Sequence, residues 1–528
     1  MMTRKYTTLS ALYLLLCSAV ATAQQPLAQA GNNGKLLYNT YANEGESNAV
    51  NRIPDFSFAG YKGGGVRLPV VAVKQTLQPS PGDNREKIQA AIDAVSALTP
   101  NAAGQRGAIL LRKGSYEVSG PLYIRKDGVV LRGEGQALNG TVLKATQQAQ
   151  HTLIIITGEG KGYQFDKNAV VNITAPYIPV GAVQIEVANA AAFSVGDDIV
   201  VERTPNQTWI DDLQMAQYGW KAADYHVRFE RRITAIKGNT LTINVPMVDV
   251  LQARYGSGQV YKATAVGRIQ QCGVEQIRLE STYSSDTAED HAWKGVMLQR
   301  ATNCWVKQVT ARYFGYACVS IEGESVYNTV EECAMTAPVS ITTGGRKYSF
   351  NIGQGAAFNL FTRCYTQGGR HDFVTSSRVP GPNVFLDCYA TDTHADIGPH
   401  HRWATGLLFD NVYGGQIRVR NRKASGTGHG WSGAQTLFWN CCSYKEDLMV
   451  DSPKGARNWG IGNSAKKFNG DGYWENKDKT VTPRSLYIQQ LQDRLGTAAV
   501  NNVIPPTQRR DNIWKQLEQW KGESTLKL

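Results

Sequence analysis

The sequence predicts an all-β solenoid, a parallel β-helix, on three observations. Six cysteines recur in similar phrases, IQQCGV, ATNCWV, VEECAM, FTRCYT, FLDCYA and FWNCCS. With LFDNVY placed in the same register, the slots Cys272, Cys304, Cys333, Cys364, Cys388, Val412 and Cys441 are 32, 29, 31, 24, 24 and 29 residues apart, the period of one solenoid coil. Between the slots lie short β-rich runs broken by Gly, Asn and Asp turns, which suit strands stacked about 4.8 Å apart in successive coils. Valine fills a core slot but cannot bridge, so the register favours one inward column of thiols over disulfides.

The elements follow in chain order. In residues 1–23, Arg4 and Lys5 precede an apolar run from Leu9 to Val20 and the triplet Ala21-Thr22-Ala23, the pattern of a cleaved secretory signal. Cys17 follows bulky Leu16, which argues against lipid attachment. The chain is therefore expected in the periplasm or outside the cell, and no later run has the roughly 18 apolar residues of a membrane span. Without Arg4 and Lys5 the formal charge falls from +12 to +10, which in an exported protein favours acidic polysaccharides over nucleic acid as partner.

Residues 24–74 read as an extended N-terminal segment. In residues 75–162, Asp83 starts a helix through NREKIQAAIDAVSAL with Ile88, Ala91, Ile92 and Val95 on one face, placed to cap the open end of a solenoid. Residues 163–262 interrupt the coil pattern with alternating apolar and polar runs and read as an inserted antiparallel β unit. Its central segment carries Trp209, Tyr218, Trp220 and Tyr225, either the core of the insertion or sugar-stacking faces, with Trp209 the candidate. Residues 263–452 hold the main coils. Residues 453–528 read as a loop and helices, one from Pro483 to Gly496 and a second from Asp511 to Gly522.

The succession IQAAID, a Gly-led strand, KGSYEV, PLYI and GVVLRGEG resembles the opening of pectate-lyase-like right-handed parallel β-helix proteins, and the resemblance covers roughly residues 75 to 452. It implies a right-handed coil and carbohydrate as substrate. It does not choose a reaction, because the superfamily contains polysaccharide lyases, glycoside hydrolases and phage tailspikes.

Reactive residues of a β-helix cluster at equivalent positions of neighbouring coils. Five of the eight histidines, His371, His394, His400, His401 and His429, fall within 59 residues among Arg346, Lys347, Arg370, Arg402, Arg420 and Arg422. Elimination across C4 and C5 of a uronate needs a carboxylate neutralised, the C5 proton removed and the leaving oxygen protonated. Arg370 and Arg402 are candidates for the first task, His371, His400 or His401 for the second, and Tyr348 or a histidine for the third. Arg346, Lys347, His429, Asp372 and Asp396 are candidate substrate contacts, with Trp403 and Trp431 as stacking platforms. In an extended segment His400 and His401 point apart, which argues against zinc and makes one chemical, His401 being favoured, and the other structural. Calcium through Asp372 and Asp396 is the one cofactor the loops allow. The rival readings are a glycoside hydrolase using Asp372 and Asp396 as its carboxyl pair and a non-catalytic polysaccharide-binding solenoid.

Overall fold

The computed structural model describes residues 25–160 and 162–528, so the secretory-type segment 1–23 lies outside the described residues. Within them the chain winds as a parallel β-helix. One wall is a seven-stranded parallel sheet: β1 (Leu122–Ile124), β2 (His151–Thr157), β3 (Ala292–Gln299), β4 (Ala317–Glu322), β5 (Phe350–Ile352), β6 (Phe373–Thr375) and β7 (Gly398–Pro399). Its register sets Ile156 beside Leu298, Leu298 beside Ile321, Ile321 beside Ile352 and Ile352 beside Thr375. A second wall passes in parallel through Trp305, Thr329, Leu360, Val384, Leu408 and Leu437. The inward residues of these walls share one core in which like stacks on like: Phe361, Phe385 and Phe409 follow one another at 5.0 and 5.1 Å.

All eight cysteines among the described residues are free thiols, seven of them buried. The six register cysteines fall in two columns rather than the single one expected, while Cys318 and Cys442 lie outside both. Gly273 pairs with Trp305, which sets Cys272 beside Cys304; Trp305 pairs with Thr329, so the next slot in that column is Asn328. Asn328, Asn359 and Asn383 then continue it as a carboxamide ladder, with Nδ2 to Oδ1 bonds of 2.9 and 3.2 Å. Cys333, Cys364, Cys388, Val412 and Cys441 make the second column. The similar phrases occur at two different corners of the coil, and the step from Cys304 to Cys333 crosses between them. Since none of the described cysteines is bridged, a reductant is expected to leave the melting temperature unchanged, and thiol titration after unfolding should count every one of these cysteines.

Helix α1 (Arg85–Ser96) buries Ile88, Ala91, Ile92 and Val95 on the first coils. Asp83 serves its N-terminus by accepting the Arg85 N–H at 3.0 Å. Between β2 and β3 a six-stranded antiparallel sheet, built around the pairing of Asp198–Arg203 with Val227–Lys237, folds over its own apolar core. That core reaches the solenoid through Trp403, Ala434 and Ala456.

Residues 27–59 and the helix after residue 485 lie together on the second wall. Along α2 (Leu486–Val503) the first helical run stops at Gly496, as expected, where φ is 80° and ψ 174°, and a second run follows directly to Val503. Gln490 Oε1 accepts the Phe56 N–H at 2.9 Å, Asp493 accepts the Leu36 N–H at 2.8 Å, and Arg494 donates to Ser57 at 2.8 Å. A last helix, Trp514–Trp520, covers the stacked rings of Tyr365, Tyr389 and Tyr413. Among the described residues no helix is long and apolar enough to cross a membrane.

Candidate active site

The segments that enter β5, β6 and β7, together with the bend that leaves β7, lie beside the turn at His429 and bring most of the sequence candidates together. After β7 the chain bends at residues 401–402, with Arg402 and Trp403 in the left-handed region at φ 57° and 64°. Backbone bonds tie this bend to both neighbours: His400 N–H donates to Thr375 O at 3.1 Å, and Arg402 N–H donates to His429 O at 3.2 Å. The bend overturns the expectation that His400 and His401 diverge, because that expectation assumed an extended strand. Their rings stand 5.2 Å apart at 89°, and His429 lies 5.0 Å from the first and 4.8 Å from the second.

The insertion helps to place His429. Trp220 Nε1 donates to Gly428 O at 3.0 Å, and Gly430, at φ 56°, lies so close to Trp220 that a Cβ there would stand 2.7 Å from its ring. Trp209 and Trp403 belong to this contact and are not sugar platforms. Each is 1% exposed, they meet edge to face at 4.9 Å, and Arg203 lies over both rings. Trp431 stays half-buried beside the site.

Behind the partly exposed His401, His429, Arg370 and Arg402 is a buried layer. Tyr348 Oη is 3.0 Å from His400 Nε2, Arg370 donates to the same oxygen at 3.4 Å, and the His371 ring lies 4.4 Å from that of His400, tilted by 59°. His371 Nδ1 lies 2.6 Å from Asp396 O and 3.3 Å from its carboxylate, so Nδ1 carries the proton and Nε2 is left with the lone pair. Arg422 and Arg420 also close on the Asp396 carboxylate, at 2.5 and 3.5 Å.

These contacts decide the protonation states. Burial, opposed by the Asp396 carboxylate and reinforced by the Arg422 and Arg370 charges, lowers His371 to about 4. Burial, then His429 and Arg402, lowers His401 to about 3, and burial with Arg422 and Arg402 lowers His429 to about 4. His400 is driven down further, by burial first and then by His371 and Arg422. Burial pushes Asp396 up, but Arg422, His371 and Arg420 outweigh it and hold the carboxyl well below its usual range. Burial raises Tyr348, against the pull of Arg370. At neutral pH the site therefore presents neutral imidazoles and a protonated phenol among guanidinium ions.

Other candidates lie elsewhere. Arg346 pairs with Glu289, and Lys347 donates to Thr342 at 2.9 Å. Asp372 is fully buried, accepts from Ser349 and Thr366 at 2.9 and 2.8 Å, and is raised by that burial to about 6. Asp372 and Asp396 thus fit neither calcium nor a hydrolytic pair: one faces hydroxyl donors inside the coil and the other is saturated by arginine. His400, His401 and His429 do bring ligand atoms within 4.8 Å of one another, but the surrounding guanidinium charges and the lack of a free carboxylate disfavour a divalent cation there. Sequence reasoning missed Arg378, whose N–H donates to Arg402 O at 2.9 Å and whose charge also bears on His401.

No family model matches the chain, and no curated protein matches it. Among solved structures it is similar to ORF18 of Geobacillus virus E2, at 12% identity and a TM-score of 0.39, covering 76% of this chain and 60% of that one. The tailspike protein of E. coli bacteriophage HK620 in complex with pentasaccharide gives 12% identity, a TM-score of 0.39 and coverage of 74% and 55%. Pectate lyase Pel9A gives 10% identity, a TM-score of 0.34 and coverage of 81% and 82%. This chain thus spans only about 60% of the first of these proteins.

Proposed function

We propose that this chain is an exported enzyme that cleaves an acidic, uronate-bearing polysaccharide by β-elimination. One observation carries the reading: buried polar atoms without partners converge on the cluster, namely His371 Nε2, the Nδ1 atoms of His400, His401 and His429, the Nε atoms of Arg402 and Arg422, and Trp431 Nε1. Arginine and indole nitrogens only donate, and an unpartnered buried donor costs about 1–3 kcal/mol. An oxygen-rich anion satisfies the Arg402, Arg422 and Trp431 donors, and sugar hydroxyls supply the donor that the His371 Nε2 lone pair requires.

The division of labour follows from exposure and protonation. Arg370 and Arg402 pair with the uronate carboxylate and draw electron density from C5. His401, neutral and partly exposed, takes the C5 proton; the electron pair forms the C4–C5 double bond and the C4–O bond breaks. Tyr348, protonated and backed by His400, returns a proton to the departing oxygen. His371 and Asp396 are positioning residues that hold His400 and Arg422 in place.

The test is a panel of uronate polymers read at once for ultraviolet absorbance of unsaturated ends and for reducing ends. Equal numbers of both support elimination. Reducing ends without absorbance would mean hydrolysis, and binding without either would mean a carbohydrate-binding solenoid.

A further inference from the structure

We infer that the cleft beside the histidine cluster is a second saccharide-binding region, so that the polymer lies along the solenoid axis and spans both. The inference rests on the elimination reading for the identity of its ligand, though not for its geometry. The cleft, about 710 Å³, is bounded on one side by the turns after β3, β4, β5 and β6 and on the other by Asp224, His226 and Arg228 of the insertion.

The turns form one continuous row with the reaction site. Arg300 N–H donates to Gly323 O at 3.0 Å, Ser376 N–H to Ile352 O at 2.8 Å, Arg378 N–H to Arg402 O at 2.9 Å and Arg402 N–H to His429 O at 3.2 Å. From Arg300 to Arg402 is four coil steps, about 19 Å at the strand spacing, and each step is comparable to the length of one pyranose. Arg378 stands where cleft and cluster meet: its guanidinium donates to Asp224 O of the insertion and, at 3.0 Å, to Gln354 Oε1 of the wall.

The lining has the chemistry of an acidic sugar. Arg300, whose guanidinium donates to the Gly158 carbonyl at 3.0 Å, offers its charge to a carboxylate, while Arg228 on the opposite side is paired with Glu202 at 3.1 Å. Glu324 enters from a left-handed turn at φ 58° and accepts no hydrogen bond from the described residues, which leaves its carboxyl for sugar hydroxyls. Gly162 and Gly355 flank it; a Cβ on them would stand 3.5 Å from its carboxylate oxygens and 3.3 Å from its Cγ. Glycine at both places keeps the group uncovered.

The experiment uses the full chain carrying His401→Ala, to block turnover, and calorimetry with oligomers of two and of six residues of galacturonate, glucuronate and mannuronate-guluronate. Hexamers of at least one series are expected to bind at least tenfold tighter than dimers, and Arg300→Ala with Glu324→Gln should erase that difference. Arg300→Gln, which keeps a donor for the Gly158 carbonyl that the guanidinium binds at 3.0 Å while removing the charge, guards against loss of fold and should reduce the difference in the same direction. Equal affinity for both lengths, a difference that survives the substitutions, or no binding at all overturns the inference. Length-dependent binding by a parent protein that never forms unsaturated ends would instead overturn elimination and leave the cleft standing.

Discussion

Replacing His401 by alanine is expected to lower kcat/KM on a uronate polymer by about 10²–10⁴-fold, the usual contribution of a positioned general base, with little change in melting temperature. The expectation follows from its place: His401 is partly exposed, its Nδ1 has no partner, and its ring lies against the imidazoles of His400 and His429. His400→Ala, removing a buried ring in contact with Tyr348, His371 and His429, should cost both activity and stability. The pH profile separates a base from a charged binding group. With His401 at about 3 and His429 at about 4, kcat/KM should hold as pH falls through 6.5, the ordinary histidine value, and decline only below about 5. A steep loss near 6.5 would show that these rings titrate as free imidazoles and would sink the assignment.

Asp396→Ala is expected to be the most destabilising single change at the site, by about 3–5 kcal/mol, because it strips a buried ion pair of one partner and leaves the charge of the other. Arg422 has a side chain only 7% exposed and would keep no carboxylate within reach; His371 would lose the group that fixes its tautomer. The sign of the pH dependence follows from both groups. The Asp396 carboxyl lies below its unfolded value, so its stabilisation is complete above about pH 4 and disappears as the pH falls through the lower, folded value. His371, lowered to about 4, is neutral in the fold while the unfolded chain takes up a proton from about 6.5 downward, so its contribution fades between those limits. Denaturant unfolding at pH 7.5, 5.5 and 4 should show parent stability falling with acidification, and Asp396→Ala should start lower. A variant as stable as the parent at pH 7.5 would remove Asp396 from the foundation of the site.

Much of the fold was legible because a solenoid repeats its constraints. The face of α1 could be read residue by residue from its spacing, and the thiol slots revealed the coil. What spacing could not show is which corner of a coil a phrase occupies: both corners demand a small inward residue, so Cys304 and Cys333 look equivalent until the strands are paired. The clustering of histidine and arginine located the site, since stacked turns bring residues about one coil apart into contact. Individual roles were harder. Periodicity assumes regular backbone, and the left-handed pair Arg402 and Trp403 breaks it, turning His400 and His401 towards each other and sending Trp403 into the insertion. Arg378 was overlooked because a lone arginine between serines and a valine carries no local signal; only its stacking against Arg402 gives it meaning.

The pairing of residues 36–57 with the helix at 490–494 on the second wall changes how the molecule comes apart. A bare solenoid behaves as a row of neighbours that can fray coil by coil. Here Gln490, Asp493 and Arg494 clasp Phe56, Leu36 and Ser57 across more than 430 positions of sequence. Such a clasp is made only after the coils beneath it exist, so it should form late and slowly. Once made, it couples distant coils into one cooperative unit, and removal of residues beyond 481 should turn a single sharp unfolding transition into a broad, stepwise one.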